Sequence, residues 1–155
     1  MSLRDRIPEI ERLAARYPKR RSILIPVLWM AQRENGGWIP EPVMKEVAEI
    51  VGVTSAEVFE VVSFYTMFQR QPIGRHLICV CDTLSCAICG GLEVSVYLQK
   101  KLGIKVGETT ADKRFTLQHV ECIGACSEAP AMLVDEDLHG HLTPESIDRI
   151  LEQYP

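Results

Sequence analysis

Two cysteine pairs in the second half of the chain set the terms on which it can fold. Cys81 and Cys86 stand in C-x4-C spacing and Cys122 and Cys126 in C-x3-C, each pair just after a short apolar run. If the two runs are neighbouring strands of one sheet, both loops emerge at the same end and four thiols reach one small volume. The residues beside the cysteines are small (Ser85, Gly124, Ala125, Ser127), so backbone N–H groups can approach the sulfurs. A [2Fe–2S] cluster takes two thiolates per iron, and each pair then serves one iron.

Thiols are ligands only where they stay reduced. The start, Met1-Ser2-Leu3-Arg4-Asp5-Arg6, lacks the apolar core of a secretory signal, and its acidic residue suits a mitochondrial transit peptide poorly. The expectation is a cytoplasmic chain, in which six cysteines point to metal or redox chemistry before structural disulfides. A net charge of -4, with no basic run beyond Lys19-Arg20-Arg21, argues against nucleic acid as a partner. The longest apolar run, Ile23 to Ala31, falls short of the roughly 20 residues of a membrane span, so no direct membrane insertion is expected.

Everything before residue 70 reads as helix. Ile7, Ile10, Leu13, Ala14 and Tyr17 are spaced for a helix over 6–17, ended by Pro18. Residues 22–34 are apolar on most sides and predict a central helix, with Pro26 in its first turn. Pro40-Glu41-Pro42 opens a third helix that Gly52 closes. Thr54-Ser55-Ala56-Glu57 is a capping box for a fourth, with Val58, Val61, Val62, Tyr65 and Phe68 on one stripe. Trp29, Trp38 and the Phe64–Phe68 aromatics could line a partner interface, but core packing of this bundle is the commoner explanation.

At Gln71-Pro72-Ile73-Gly74 the pattern changes, dividing the chain into a helical segment, 1–70, and a second domain, 71–155. Residues 75–81 read as a strand buried on both faces, 90–102 as a helix, 115–120 and 131–134 as strands. Asp135-Glu136-Asp137 is expected to be a turn before a fourth strand over 138–142. Thr143-Pro144 starts a last helix running to about Tyr154. The class is α+β, with a small mixed sheet flanked by helices in a thioredoxin-like arrangement.

Other uses of the cysteines compete. Structural zinc also takes four thiolates, although its usual loop is C-x2-C. Cys86-Ala87-Ile88-Cys89 is itself a C-x-x-C between a strand and a helix, where a thioredoxin-like dithiol would sit, with Pro130 as a candidate cis-proline. That reading leaves Cys81, Cys122 and Cys126 without a role. Cys79 is read as a buried strand residue. His119 lies on a strand near a ligand pair and is not expected to ligate; His76, His139 and His141 are read as surface or strand residues.

Glu121-Cys122-Ile123-Gly124-Ala125-Cys126-Ser127-Glu128-Ala129-Pro130, with the upstream C-x4-C, resembles the thioredoxin-like [2Fe–2S] subunit of respiratory NADH:quinone oxidoreductase (complex I). The resemblance extends through Leu102–Thr110, Gly37-Trp38-Ile39-Pro40 and Phe64-Tyr65-Thr66-Met67-Phe68, covering nearly the whole chain. Related chains serve NAD-dependent hydrogenases and formate dehydrogenases. The resemblance implies one [2Fe–2S] cluster on Cys81, Cys86, Cys122 and Cys126, with no substrate site on this chain. It implies single-electron exchange with FMN held by a larger neighbouring subunit that also binds NADH, within an assembly peripheral to the membrane. The lack of a G-x-G-x-x-G or P-loop agrees with that division. Cys89 departs from the family pattern; near the cluster it could form a disulfide or substitute as a ligand.

Overall fold

A computed structural model describes residues 3–155. The described chain forms two compact units, one ending at Pro72 and the other running from Ile73 to Pro155.

The first unit holds α1 (Ile7–Ala14), α2 (Leu24–Glu34), α3 (Glu41–Val51) and α4 (Ser55–Phe64). Its core gathers Ile10 with Leu24, Val27, Leu28 and Ala31 of α2, Met44, Val47 and Val51 of α3, and Val58 and Val62 of α4. The helix ends depart from the sequence pattern for local reasons. α1 stops at Ala14, and Arg16 and Tyr17 donate to Leu13 and Ala14 in the tighter bonding of a 3-10 turn. Arg20–Ile23 form another such turn, so α2 begins at Leu24, where Pro26 still falls among N–H groups that lack a helical partner. The single stripe expected on α4 ends at Val62. Tyr65 lies past the helix and is 37% exposed, while Phe68 reaches the core from irregular chain. The capping box forms as read, with the Glu57 N–H donating to Thr54 Oγ1 (3.3 Å) and the Thr54 N–H to Glu57 Oε2 (2.8 Å).

The irregular chain after α4 is held by a buried polar side chain. Gln32 Nε2 donates to the Met67 carbonyl (3.0 Å), and its Oε1 accepts from the Gln69 N–H (2.8 Å). Burial of this amide is tolerated because both ends are satisfied.

In the second unit, β1 (His76–Cys81) leads through α5 (Leu84–Ile88) and α6 (Gly91–Leu102) to β2 (Phe115–Val120), then β3 (Met132–Val134), β4 (Asp137–His139) and α7 (Pro144–Glu152). The sheet order is β2-β1-β3-β4; β1 runs parallel to β2 and antiparallel to β3. With neighbours on both sides, β1 is buried from Ile78 to Cys81. Ile78 and Val80 meet Val94 and Leu98 of α6 and Ile147, Ile150 and Leu151 of α7 in one core.

The fourth strand differs from the sequence reading. Asp135, at φ 56°, and Glu136 make a two-residue turn, so Asp137 already pairs with Val134. The strand ends at His139 rather than Leu142 because the next residues are tied elsewhere. Gly140 lies against Glu128, the His141 N–H donates to the Glu128 carbonyl, and the Leu142 N–H to that of Pro130.

Candidate metal centre

Parallel pairing of β1 and β2 puts Cys81 opposite Val120, the last residue of each strand. Both chains leave the sheet at one end, and Cys122 and Cys126 follow Val120 in that loop. The segment after Cys81 is not open loop: Leu84–Ile88 is a short helix carrying Cys86. Five residues are too few to display a helical period, so only an N-cap residue could have announced it, and Thr83 stands there. The Thr83 hydroxyl makes no cap; it lies 3.2 Å from Cys81 Sγ. The sequence reading missed this residue.

Cys81 and Cys86 are each 3% exposed and pack with Ala125 and Ala131, with Ile123 and Ala129 at the margin. Burial pushes the Cys81 thiol up, but hydrogen bonds from the Thr83 hydroxyl, the Thr83 and Ile123 N–H groups and Cys86 outweigh it, leaving Cys81 below the ordinary thiol range. Cys86 is raised, first by burial and then by sharing its proton with Cys81. The Ala131 N–H opposes this, and charge on Cys81 and Cys126 adds to it. Within the buried pair Cys81 thus gives up its proton more readily than Cys86, with backbone donors aimed at the sulfurs.

The downstream pair is more open. Cys122 and Cys126 are exposed; the Gly124 N–H lies 3.4 Å from Cys122 Sγ, in a turn where Gly124 has φ 76°. Cys89, the residue after α5, is exposed, one helical turn beyond Cys86. Cys79 is buried in β1, and its thiol is pushed up to about 11, first by burial and then by Asp135. The Ala129–Pro130 peptide is cis.

Among the described residues, no three His, Cys, Asp or Glu side chains gather closely enough to hold a single ion. A two-iron centre takes its thiolates as two pairs. The donor set fits the two-iron centre: two pairs at one end of the sheet, a small apolar surround, and N–H groups of Thr83, Ile123, Gly124 and Ala131 near sulfur.

His119 does not join the thiols. Its Nε2 lies 2.6 Å from Ser95 Oγ and its Nδ1 3.6 Å from Asp82 Oδ2. This Ser-His-Asp sequence of contacts is not a hydrolytic site, because Ser95 is 3% exposed and no substrate reaches its hydroxyl. His76 and His139 sit on β1 and β4. His76 Nδ1 is 2.7 Å from Asp135 Oδ2, and His139 Nε2 is 2.9 Å from the Tyr154 hydroxyl.

The family model for thioredoxin-like [2Fe-2S] ferredoxins matches residues 10–155. The chain is 47% identical to an NADH-quinone oxidoreductase subunit of Rhizobium meliloti (strain 1021), over 99% of this chain and 89% of that one. It is 41% identical to an NADH-quinone oxidoreductase subunit of Escherichia coli (strain K12), over 94% of this chain and 87% of the other. The mitochondrial NADH dehydrogenase [ubiquinone] flavoprotein 2 of Dictyostelium discoideum is 45% identical over 96% of this chain, which spans 61% of that protein. The fold is shared with an NAD+-reducing [NiFe]-hydrogenase in its air-oxidized state, at a TM-score of 0.73 and 24% identity, over 85% of this chain and 22% of the hydrogenase chain.

Proposed function

We propose, for a chain that belongs to the thioredoxin-like [2Fe–2S] ferredoxin family, that it is an electron-transfer subunit of NADH:quinone oxidoreductase, with Cys81, Cys86, Cys122 and Cys126 as the cluster ligands. The observation that carries the ligand assignment is the in-register parallel pairing of Cys81 with Val120, which releases both cysteine loops at one end of the sheet. Near-full-length identity to chains named as NADH-quinone oxidoreductase subunits supports the quinone-linked assembly. The hydrogenase likeness bears on the fold alone.

A cluster held by these residues supplies a one-electron store. Donors from Thr83, Ile123, Gly124 and Ala131 stabilise negative charge on the sulfurs, while Ile123, Ala125, Ala129 and Ala131 limit water around the buried pair. On this reading the chain's part in the reaction is to accept and return electrons. FMN and the NADH site belong, on this reading, to a larger partner subunit. That subunit and its neighbours would hold the chain at the membrane, since no helix among the described residues is long and apolar enough to cross one.

The test is reduction by NADH. The purified, cluster-loaded chain should stay oxidised with NADH alone and bleach when the FMN-bearing subunit is added. Bleaching without that subunit would place a nucleotide site on this chain and overturn the division of labour.

A further inference from the structure

Cys89 has no part in the four-thiol site, yet it stands one helical turn from a buried member of it. A helix places residues three apart at a Cα separation of about 5 Å. That lies within the roughly 4.4–6.8 Å that a disulfide spans. The helix ends at Ile88, and Cys89 is its C-cap, so the Cys89 side chain can rotate toward Cys86 without breaking a helical turn beyond it. Cys89 is exposed, whereas Cys86, Cys81 and Cys79 are buried. A small disulfide therefore meets Cys89 before it meets Cys86. Leu84 and Ile88, on the same short helix, are 75% and 76% exposed, which leaves the approach open.

We propose that Cys86 and Cys89 form a reversible disulfide in the cluster-free chain, locking the site against cluster insertion. The proposal rests on Cys86 being a ligand. The oxidant is a small disulfide of the glutathione class. The Cys89 sulfur attacks one sulfur of that disulfide, forming a mixed disulfide and releasing one small thiol. The Cys86 sulfur then attacks Cys89, closing the internal bond and releasing the second small thiol. Each displaced thiolate takes up the proton lost by the attacking cysteine. Two protein thiols are oxidised, one small disulfide is reduced to two thiols, and a dithiol reverses the exchange. Tying Cys86 to Cys89 leaves Cys81 without the partner it contacts in the reduced chain, so one iron of the site has a single thiolate. Cys81, though it touches Cys86, is as buried as Cys86 and offers the reagent no entry.

The experiment treats the full cluster-free chain with oxidised glutathione and then measures intact mass, the bridge by tandem mass spectrometry, and uptake of iron and sulfide. The expected result is a loss of two hydrogens in mass, a Cys86–Cys89 bridge, and loss of cluster uptake that dithiothreitol restores. Cys89→Ser and Cys89→Ala, both changes at an exposed position, should take up the cluster when reduced and keep doing so after the same treatment. A bridge at Cys81–Cys86 or Cys122–Cys126, a chain that stays reduced, or equal blocking of the Cys89 variants would overturn the lock while leaving the ligand assignment intact. A reduced wild-type chain that takes up no cluster would overturn the assignment, and the lock with it.

Discussion

Gly91, the first residue of α6, offers a way to disturb the cysteine loop without touching a cysteine. A Cβ added there would lie 2.9 Å from the Cys86 carbonyl oxygen, 3.0 Å from its carbon and 3.1 Å from the Cys81 oxygen. All three are backbone atoms, so the closest must give way by roughly half an ångström to reach ordinary contact. Overpacking of this kind costs about 1–3 kcal/mol. Alanine's better helix propensity returns up to ~1 kcal/mol, less at the first helical position. The net expectation for Gly91→Ala is a loss of about 1 kcal/mol, directed at the backbone of two candidate ligands. If that strain is carried in the cluster-bound state, loss of cluster to a chelator should run about fivefold faster. Gly103→Ala, at the other end of α6, is the control. It has φ 67° and nothing within 4 Å of an added Cβ, so it costs about 1–2 kcal/mol by backbone conformation alone. Urea unfolding of the cluster-free chain measures stability, and decay of visible absorbance under chelator measures cluster lifetime. A Gly91→Ala protein with wild-type cluster lifetime, or a Gly103→Ala protein that loses its cluster as fast, would refute the reasoning.

Three further outcomes follow from the thiols and the sheet. In the reduced, cluster-free chain, iodoacetamide near neutral pH should label Cys89, Cys122 and Cys126 first and Cys79 last, since Cys79 is buried with its thiol near about 11; labelling of Cys79 alongside Cys89 would contradict this. Thr83→Val should lower the reduction potential of the cluster by removing a hydrogen bond to Cys81, worth about 1 kcal/mol, or ~40 mV for one electron; an unchanged or raised potential counts against that contact. Burial, and then the hydrogen bond to Asp137, hold the Tyr154 hydroxyl up to about 12 from an ordinary 10.0. Its contribution to stability is therefore full below pH 10 and lost as pH rises toward about 12, and Tyr154→Phe should flatten that alkaline limb in denaturant melts taken at successive pH values.

The helices and strands were legible where a period had room to repeat. The apolar run of α2, the capping box at Thr54, the N-cap at Thr143, and β1 as a strand buried on both faces could all be read from residue order. The convergence of the two cysteine loops was legible only conditionally, because it needed β1 and β2 to be neighbours and parallel, which spacing alone does not decide. Features set by contacts distant in sequence were not legible. β4 stops at His139 because Glu128 and Pro130 capture the following chain. Thr83 has the sequence of an N-cap but spends its hydroxyl on Cys81, and Ser95 meets His119 only through the packing of α6 on the sheet. The short helix bearing Cys86 lay below the length at which periodicity speaks.

The ligand assignment is the centre of this account, and electron paramagnetic resonance with iron and sulfide analysis tests it most directly. The anaerobically purified chain should be red-brown, hold about two iron and two sulfide, and give the spin-half signal of a single reduced [2Fe–2S] centre on treatment with dithionite. Single alanine replacements of Cys81, Cys86, Cys122 and Cys126 should each lose or alter that signal, while Cys79→Ala and Cys89→Ala keep it. A colourless chain holding one zinc, or a wild-type signal that survives replacement of any of the four, would contradict it.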